Sequence, residues 1–474
     1  MKKISLFTLL IFSFALQSKA QSIYAQDRVY TGNQISNTVS VLDPSTQTLL
    51  GNIVLGKPQP DILSPLYKGQ ALVHGLGYSP KRQLLAAVSI GSNSVTFIST
   101  AKNKVLKTVY IGRSPHEATF NPSGSQAWIS VRGESYISVI DANKLIEIKQ
   151  IPVADGPGMV AFTPDGKWAY ICSSFTAEVD VVNATSYAIV KRIPVVSPFS
   201  PNIFCSPDGE WVALTHKDVG KITVISTETN TIHTVLNTGP ITNHVTFTLV
   251  NNSPVMLATI GGENSLKVFS VSQDFKLTDS IATGSLPHGV WTSADGKFAY
   301  VGLENDDQVQ VVDLVKMAVV KTIAIGQCPQ ALLYAANASP ANASKENLTP
   351  LNLADKSQVI KLMNKDNSMS SGMLNVRSVG LTDLVQQDFK KLEPNTSYTL
   401  ALTNSSNDTF NADYVINSFK TDEKGAFSGQ SSGIIKSVGT GGADYKHVVL
   451  IDDLSKKLVM ISNYCILNQR YNCP

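Results

Sequence analysis

The sequence of 474 residues lacks an excess of charge of either sign. Charged residues make up 16% of the chain, and the formal net charge is +3. The first twenty residues hold three lysines and no acidic residue, so their removal would leave a net charge of 3 − 3 = 0. Binding to nucleic acid needs a basic surface that neutralises phosphates. The composition therefore predicts no nucleic-acid partner.

Long hydrophobic runs are absent beyond the N-terminus. Residues 1–20, MKKISLFTLLIFSFALQSKA, combine two lysines, an apolar stretch of about a dozen residues and Ser18-Lys19-Ala20 ahead of Gln21, a pattern typical of a secretory signal peptide. The apolar stretch is shorter than the roughly 20 residues that span a bilayer, which favours a signal peptide over a membrane anchor. We predict an exported protein, either periplasmic, cell-surface or secreted, without an integral membrane segment after signal cleavage.

Cysteine is scarce, with five residues in the chain. Cys172 and Cys205 lie within apolar runs and are expected to be buried as small hydrophobic residues. Cys465 and Cys473 lie close together near the C-terminus of a chain that we expect to be exported, and they could form a local disulfide. Cys328 is then left without a partner cysteine.

Familiar catalytic motifs are absent too. The sequence has no Gly-rich phosphate loop, no nucleophile elbow and no HExxH motif. Each of these motifs positions the reacting groups of a common enzyme class. Their absence leaves no catalytic residue to name, and it favours a non-enzymatic role while leaving the question of activity open.

What the sequence does contain is an internal repeat. Turn phrases such as NPSGS at 121, TPDGK at 163 and SPDGE at 206 recur along the chain. About six residues ahead of each turn lies an equivalent position, and successive equivalents are 42, 42, 44, 42, 44 and 42 residues apart. The seven equivalent residues are His74, His116, Gly158, Asn202, His244, His288 and Gln330.

Each repeat contains four short segments with alternating character, which in the second repeat are HEATF, QAWISV, SYISVID and IEIKQIPV. Alternation with a period of two between Gly and Pro turns predicts strands, and four strands in about 43 residues are typical of a propeller blade. The array opens with strands two to four of a unit and ends at 329 with a first strand, PQALLYAAN. These two ends would complete a seventh blade and leave no open edge.

The character of the sequence changes after residue 335. AANASPANASKENLTPLNLADKS lacks alternation and reads as a linker, and about seven further short alternating segments predict a small β-sandwich. Within them, TDLVQQDFKKL could be a short helix or an edge-strand connection. We predict an all-β protein with a signal peptide at 1–20, a seven-bladed propeller with end-to-start closure at 21–337, a linker at 338–355 and a β-sandwich at 356–474.

Segments such as VYTGNQISNTVSVLD and AYICSSFTAEVDVVN resemble the YVTN-type repeats of exported and surface-layer propellers of bacteria and archaea. The resemblance extends from residue 27 to about 337 and implies a seven-bladed propeller with an exported or surface location. It implies little about chemistry, because that family includes binding modules and enzymes. In the C-terminal region, the phrase from Leu392 to Tyr398 is similar to the L-x-P-x-T-x-Y phrase of fibronectin type III-like modules, in which the Tyr hydroxyl holds a corner.

Four of the seven histidines share the equivalent position of the repeat. The first strand of each blade lines the central channel of a propeller, so these side chains should form one ring at its mouth. Neutral imidazoles on rigid strands are common ligands of copper and zinc. Glu117 and Cys328 flank the ring and could add ligands. The candidate metal-binding histidines are His74, His116, His244 and His288.

Two alternatives to a metal site bear on this ring. The histidines could form a polar ring that only hydrogen-bonds across blades, or a histidine of the ring could act as a catalytic general base. The loops between second and third strands should crowd one face of the propeller, and they carry Asn33, Arg132 and Glu304. Together with Asn202 and Gln330 of the ring, these are the predicted ligand-binding residues. His216, which we place in the same loops, and His233 are expected at the surface.

The phrase LPHGVWTSADG resembles one in nitrous oxide reductase, whose propeller holds a copper cluster on channel histidines, and haem d1-binding propellers are similar through their channel histidines. Only four ring positions are histidine here, and the C-terminal region has no Cys-rich copper-binding pattern. That activity is therefore not carried over to this chain.

Two functions from different classes are consistent with the sequence. The first is an exported binding protein that presents a propeller face or channel to a protein or a small-molecule ligand. The alternative is a periplasmic metal- or cofactor-binding protein with copper, zinc or a haem d1-like group on the histidine ring, which could be an oxidoreductase. A lactonase-type hydrolase is a further alternative, since some seven-bladed propellers open sugar lactones. The identity of any cofactor remains open.

Overall fold

The computed structural model describes residues 23–56, 71–340, 345–351, 358–365, 369–379, 382–404, 412–433 and 447–462. The predicted signal peptide at 1–20 and the predicted disulfide between Cys465 and Cys473 lie outside the described residues. The part of the chain that is described consists of strands and two three-residue 3₁₀ helices, Gly261–Glu263 and Val271–Gln273. Neither helix is long enough to cross a membrane.

Seven antiparallel sheets of four strands form the blades of a propeller. Blade 1 contains β4 Val73–Ser79, β5 Leu84–Ser89, β6 Ser94–Ser99 and β7 Lys104–Tyr110. Blade 2 contains β8 Pro115–Phe120, β9 Gln126–Val131, β10 Tyr136–Asp141 and β11 Ile146–Pro152. Blade 3 contains β12 Pro157–Phe162, β13 Trp168–Ser173, β14 Glu178–Asn183 and β15 Ile189–Pro194.

The remaining blades follow the same pattern. Blade 4 contains β16 Ile203–Cys205, β17 Trp211–His216, β18 Lys221–Ser226 and β19 Thr231–Asn237. Blade 5 contains β20 Thr242–Val250, β21 Ser253–Ile260, β22 Ser265–Ser270 and β23 Lys276–Ala282. Blade 6 contains β24 Pro287–Thr292, β25 Phe298–Leu303, β26 Gln308–Asp313 and β27 Ala318–Ala324. Blade 7 contains β28 Pro329–Ala335, β1 Arg28–Asn33, β2 Thr38–Asp43 and β3 Thr48–Val54.

Blade 7 closes the ring, because its inner strand comes from the end of the array and its other strands come from the beginning. β28 pairs with β1 in antiparallel register, with Ala335 opposite Arg28. Asp27 joins the two ends by accepting hydrogen bonds from the Tyr334 hydroxyl and, at 2.8 Å, from the Asn337 amide. The predicted all-β fold with a seven-bladed propeller closed end to start is therefore confirmed.

The blades are held together by apolar residues that pack between neighbouring sheets. Phe97 of blade 1, for example, packs in one buried cluster with Ala127 and Ile129 of blade 2. The outermost strands carry the exposed residues, as in β7, where nearly every side chain is exposed. Burial of apolar surface between blades stabilises the ring, since each blade alone would leave both of its faces open to water.

The C-terminal region forms one sheet of eight strands in the order β33-β32-β35-β36-β29-β30-β31-β34. The sheet curls until its edge strands meet, and the rings of Phe419 and Phe427 on those strands stack with centroids 4.0 Å apart. The Tyr398 hydroxyl accepts a hydrogen bond from the Glu393 amide at 3.2 Å and so holds a corner. The strands are β29 Gln358–Asn364, β30 Ser371–Val379, β31 Thr382–Lys390, β32 Ser397–Thr403, β33 Tyr414–Lys420, β34 Phe427–Gly433, β35 His447–Asp452 and β36 Leu458–Ser462.

This C-terminal sheet contacts the propeller through polar side chains. Arg377 of β30 is fully buried and forms an ion pair with Asp307, which lies between β25 and β26 of blade 6. Asn264, between β21 and β22 of blade 5, donates a hydrogen bond to Asp388 of β31 at 3.0 Å. Both contacts are made to loops between second and third strands, so the C-terminal sheet lies on that face of the propeller. The boundaries at 337 and 355 stay predictions.

Candidate functional site

The inner strands form a ring around the channel, each next to the inner strand of the following blade. Strands of different blades do not pair, so the inner edges carry backbone groups that need other partners. Side chains near the equivalent position of the repeat supply them. The Nδ1 atom of His116 lies 2.8 Å from the carbonyl oxygen of Gly158, and that of His288 lies 2.7 Å from the carbonyl oxygen of Gln330.

These hydrogen bonds fix the tautomer of two histidines. A carbonyl oxygen can only accept, so Nδ1 of His116 and of His288 carries the proton, and Nε2 of each ring keeps its lone pair. Burial lowers the pKa of both imidazoles well below the usual value, and the charges of neighbouring groups lower it further. Burial likewise lowers the pKa of His244 to about 3. These three rings are therefore neutral at neutral pH.

The four histidines of the ring meet as two pairs at one end of the channel. The ring centroids of His74 and His116 are 4.3 Å apart, and those of His244 and His288 are 4.7 Å apart. All four side chains line a single cavity of about 130 Å³. Residues more than 200 positions apart in sequence thus share one site, because the propeller closes.

Glu117 joins the first pair to form a cluster of three possible ligands, which we call the His74 cluster: His74, His116 and Glu117. One donor atom from each lies within 4.8 Å of the others, and all three residues are buried. The Nδ1 atom of His74 is 3.7 Å from Oε1 of Glu117. Neither of these two atoms has a hydrogen-bond partner among the described residues, although Oε2 of Glu117 accepts a hydrogen bond from the Leu76 amide at 3.2 Å.

The other predicted ring residues make contacts of their own. Oδ1 of Asn202 accepts a hydrogen bond from the Val245 amide at 2.9 Å and so links blades 4 and 5. Gln330 lines the histidine cavity, and its side-chain amide lies 3.2 Å from Sγ of Cys328. Burial raises the pKa of the Cys328 thiol to about 12, so it stays protonated at neutral pH. Cys328 is not part of the His74 cluster.

Among the loop residues, Arg132 lines the histidine cavity. Glu304 follows the second strand of blade 6 and is not one of the residues that line this cavity. Its carboxylate is 3.9 Å from Sγ of Cys328, and its backbone carbonyl accepts a hydrogen bond from Arg377. Asn33, in contrast, is fully buried, and its side-chain amide donates to Thr38 and Ser40 at 3.0 and 2.8 Å. The predicted position of Asn33 in an exposed rim loop is therefore wrong, because Asn33 is the buried last residue of β1.

The expectation that His216 lies at the surface is wrong. His216 is fully buried, with Nδ1 2.7 Å from Oγ of Ser200 and Nε2 2.7 Å from Oγ1 of Thr223. It is the last residue of β17, as Asn33 is the last residue of β1. Successive side chains of a strand point to opposite faces, so an alignment shifted by one residue selects the wrong side.

The residue directly after His216 is a cation, Lys217, which the sequence pattern did not predict as part of the site. Lys217 directly follows β17, as Arg132 follows β9 and Glu304 follows β25. Lys217 lines the histidine cavity together with Asn243, whose side-chain oxygen is buried without a partner among the described residues. When the repeats are aligned by the last residue of their second strands, Lys217 falls at the same structural position as Arg132.

The channel differs at its two ends. The end opposite the histidines opens into a cavity of about 390 Å³ lined mainly by apolar side chains. Phe204 and Trp291 meet there edge to face, with ring centroids 5.0 Å apart. Buried polar chemistry is thus concentrated at the histidine end of the channel.

Comparison with known proteins supports the fold. A family model described as "Lactonase, 7-bladed beta-propeller" matches residues 107–318, and none of the curated proteins compared with the chain matches it. A structure of hydrazine synthase from Kuenenia stuttgartiensis is 19% identical, with a TM-score of 0.50 over 55% of this chain and 88% of that one. A functionally unknown protein from Desulfotomaculum acetoxidans is 13% identical, with a TM-score of 0.55 over 65% and 99% of the two chains.

A third structure, dihydro-heme d1 dehydrogenase NirN in complex with DHE, is 12% identical, with a TM-score of 0.48 over 87% of this chain and 76% of that one. At such identities a likeness to solved structures concerns the fold alone. The YVTN-type resemblance stays a prediction. The match to the family model and the seven blades together show that the chain is similar to a family of seven-bladed propellers and shares its fold.

Proposed function

We propose that the protein binds one transition-metal ion, zinc or copper, at the histidine mouth of its channel, through His74, His116 and Glu117. The observation that carries the proposal is a pair of buried atoms in this cluster, Nδ1 of His74 and Oε1 of Glu117, for which the described part of the chain supplies no hydrogen-bond partner. Buried polar atoms are nearly always hydrogen-bonded, and an exception calls for an unseen partner. A metal ion would satisfy both atoms at once.

The donor set suits zinc or copper. Both ions take neutral imidazole nitrogen, and zinc accepts a carboxylate oxygen alongside it. The Nδ1 proton of His116 is held by the Gly158 carbonyl, which leaves Nε2 available as the ligand atom. A histidine ligand whose second nitrogen is held in this way has its orientation set before the ion arrives.

The charge of Glu117 also favours a bound cation. Its side chain is buried, and among the described residues that side chain accepts one hydrogen bond, from the Leu76 amide. The nearest possible counter-charge within 4.0 Å in the described part of the chain is His74, whose charge would require protonation. Burial of an uncompensated carboxylate is costly, and a divalent ion would offset that cost.

This proposal takes up the alternative from the sequence, a metal-binding protein centred on the histidine ring, in place of a protein that presents a propeller face to a partner. The ligand is an ion at the channel mouth, and the propeller is the rigid frame that assembles its ligands. Export to the periplasm, cell surface or medium remains part of the proposal and rests on the signal-like residues 1–20.

The test is metal analysis of the mature protein, purified without a histidine tag and dialysed against Zn²⁺ or Cu²⁺. We expect one tightly bound ion per chain. The double variant His116→Ala/His288→Ala removes one imidazole from each pair and should lose the ion. His233→Ala, which removes an exposed histidine of β19, is the control and should keep it. Unchanged metal content in the double variant would remove the proposal.

A lactonase-type hydrolase is the second candidate, and the match to the family model is the observation that favours it. The histidine mouth would have to serve this activity as well, because Lys217, Arg132 and the four histidines of the ring line the polar cavity of the channel. Hydrolysis of a sugar lactone by the wild type but not by His116→Ala/His288→Ala would favour this candidate.

A further inference from the structure

We propose that a small anion, such as a short carboxylate or an oxyanion of similar size, binds in the histidine cavity between Arg132 and Lys217. The inference rests on the proposed function, because it names the class of ligand that would lie next to the metal ion. It is carried by the position of two cations on the wall of the cavity that the four histidines line.

The two cations have no strong counter-charge of their own. Neither Arg132 nor Lys217 forms an ion pair within 4.0 Å among the described residues. Nε of Arg132 is buried and has no hydrogen-bond partner there. Glu304 is the carboxylate whose charge acts most strongly on Lys217, but it lies beyond ion-pairing distance. Both side chains therefore keep donors for a ligand.

Aromatic rings hold Arg132 in place. Its guanidinium carbon lies 5.7 Å from the ring centroid of Phe175 and 5.5 Å from that of Phe199. Contacts with aromatic rings position a guanidinium group without using its N–H donors in hydrogen bonds. Phe199 also lines the cavity, so the guanidinium is fixed at the wall where a ligand would enter.

Each of the two cations acts through its charge on a different histidine pair. The charge of Arg132 acts on His116, whereas the charge of Lys217 acts on His244 and His288. Because Arg132 and Lys217 follow the second strands of blades 2 and 4, they lie two blades apart on one rim. An anion between them would contact both and face the histidines.

The balance of charge at the loaded site also calls for an anion. A divalent ion with Arg132 and Lys217 gives +4, and Glu117 and Glu304 give −2, so the site would carry a net charge of about +2 with neutral histidines. Burial already lowers the pKa of both Arg132 and Lys217, as expected for cations that lose water without gaining a partner. A bound anion would offset this cost.

The size of the cavity limits the ligand. The cavity is small, with a volume of about 130 Å³. Formate, acetate and similar ions fit this space. The ligand class is therefore small anions.

The test is a ligand-observed NMR titration of ¹³C-formate into the mature protein, with and without one equivalent of Zn²⁺. Lys217→Met removes a cation while keeping the length of the side chain, and Arg132→Gln removes the other. Lys107→Met removes the same charge from the exposed outer strand of blade 1 and is the control. We expect formate to bind the zinc-loaded wild type and the control at least tenfold more tightly than either cavity variant.

The outcomes separate the two proposals. Equal formate affinity in the wild type and both cavity variants, or no formate binding at all, overturns the anion site, and the metal site stands if Zn²⁺ is still bound at one equivalent. If Zn²⁺ does not bind but formate binds the wild type and is lost in Lys217→Met and Arg132→Gln, the anion site stands and the proposed metal function falls.

Discussion

Single side chains set the geometry of the candidate metal site, and Ser130 is the clearest case. Its hydroxyl donates a hydrogen bond at 2.6 Å to the Gly158 carbonyl that also binds His116, and it accepts one from the Glu117 amide at 3.1 Å. We expect Ser130→Ala to weaken Zn²⁺ binding by about tenfold, because partners that orient metal-binding histidines typically contribute this much. The measurement is a competition titration against a zinc chelator.

Ser138→Ala is the matched control. Ser138 lies in the same blade, is buried, and donates a hydrogen bond at 2.6 Å to Glu147. Its loss removes a similar buried hydroxyl away from the histidines, so the affinity for Zn²⁺ should not change. Because Ser130 is a positioning residue, its variant should still bind one ion at saturation. An equal loss of affinity in both variants would contradict this role.

His216 gives the protein a predictable dependence on pH. Burial lowers its pKa from 6.5 to about 4. Between these two pH values, His216 binds a proton in the unfolded chain but not in the folded chain. The contribution of neutral His216 to stability is therefore complete above about pH 6.5 and is lost as the pH falls toward 4. We expect the difference in unfolding free energy between the wild type and His216→Asn to shrink over this range.

Urea unfolding of the two proteins at several pH values provides the measurement. The comparison with His216→Asn cancels the titration of groups common to both proteins. A difference that stays constant between pH 7 and pH 4 would show that His216 does not titrate as its burial predicts.

At this scale the sequence predicted the histidine ring and Arg132 beside it, but it did not predict Lys217. The ring could be predicted because the equivalent position recurs every 42 or 44 residues and falls near the start of the first strand of each blade. Asn33 and His216 were placed one residue too early, and in a strand a shift by one residue exchanges the buried and exposed sides. The hydrogen bonds of His116 and His288 to backbone carbonyls could not be predicted, because they depend on how far neighbouring blades rotate.

At the scale of strands, the close approach of β4 to β8 explains why the residue after His74 is a glycine, Gly75. A Cβ atom added to Gly75 of β4 would lie 2.6 Å from Cα of Glu117, and closer still to the carbonyl oxygen of His116. We expect Gly75→Ala to destabilise the protein by about 1–3 kcal/mol and to weaken metal binding, because it pushes β8 away from β4. Urea unfolding and metal titration are the measurements.

Gly302→Ala provides the comparison. Gly302 lies in β25, and a Cβ atom there would have its nearest neighbour, Cβ of Pro329, at 3.6 Å, which is ordinary contact. This variant should keep its stability to within about 0.5 kcal/mol. Equal destabilisation by the two substitutions would mean that the approach of β4 to β8 is not the cause.

Alternation predicted the propeller strands well, because each blade buries apolar residues between neighbours and repeats the pattern seven times. The segment TDLVQQDFKKL could not be assigned, and the structure shows that Thr382–Lys390 is strand β31. Its core residues Val385 and Phe389 are four positions apart, a spacing that suits one face of a helix and one face of a strand equally. Local sequence could not distinguish these two structures.

At the scale of the whole molecule, the ion pair between Arg377 and Asp307 joins the C-terminal sheet to the propeller. Oδ1 of Asp307 accepts hydrogen bonds at 2.9 Å from Nε of Arg377 and from the Cys328 amide. We expect Arg377→Met to lower the free energy of unfolding by about 3 kcal/mol, because it leaves a buried carboxylate without its partner. The midpoint of urea unfolding is the measurement.

A double-mutant cycle tests whether the two residues act as a pair. Asp307→Asn removes the charge and keeps an oxygen that can accept from the Cys328 amide. If the pair is coupled, the double variant loses clearly less stability than the sum of the single variants. Strict additivity would contradict the ion pair. The sequence could not predict this contact, because Arg377 has the alternating position of an ordinary exposed strand residue.

The central claim is that closure of seven blades brings distant residues together to bind a metal ion. Anomalous diffraction from crystals of the zinc-loaded mature protein tests it most directly. We expect the strongest anomalous peak at the channel mouth, about 2.0–2.2 Å from nitrogen atoms of His74 and His116 and from an oxygen of Glu117. A map with no peak among these residues, or with its strongest peak at another site on the protein, would contradict the claim.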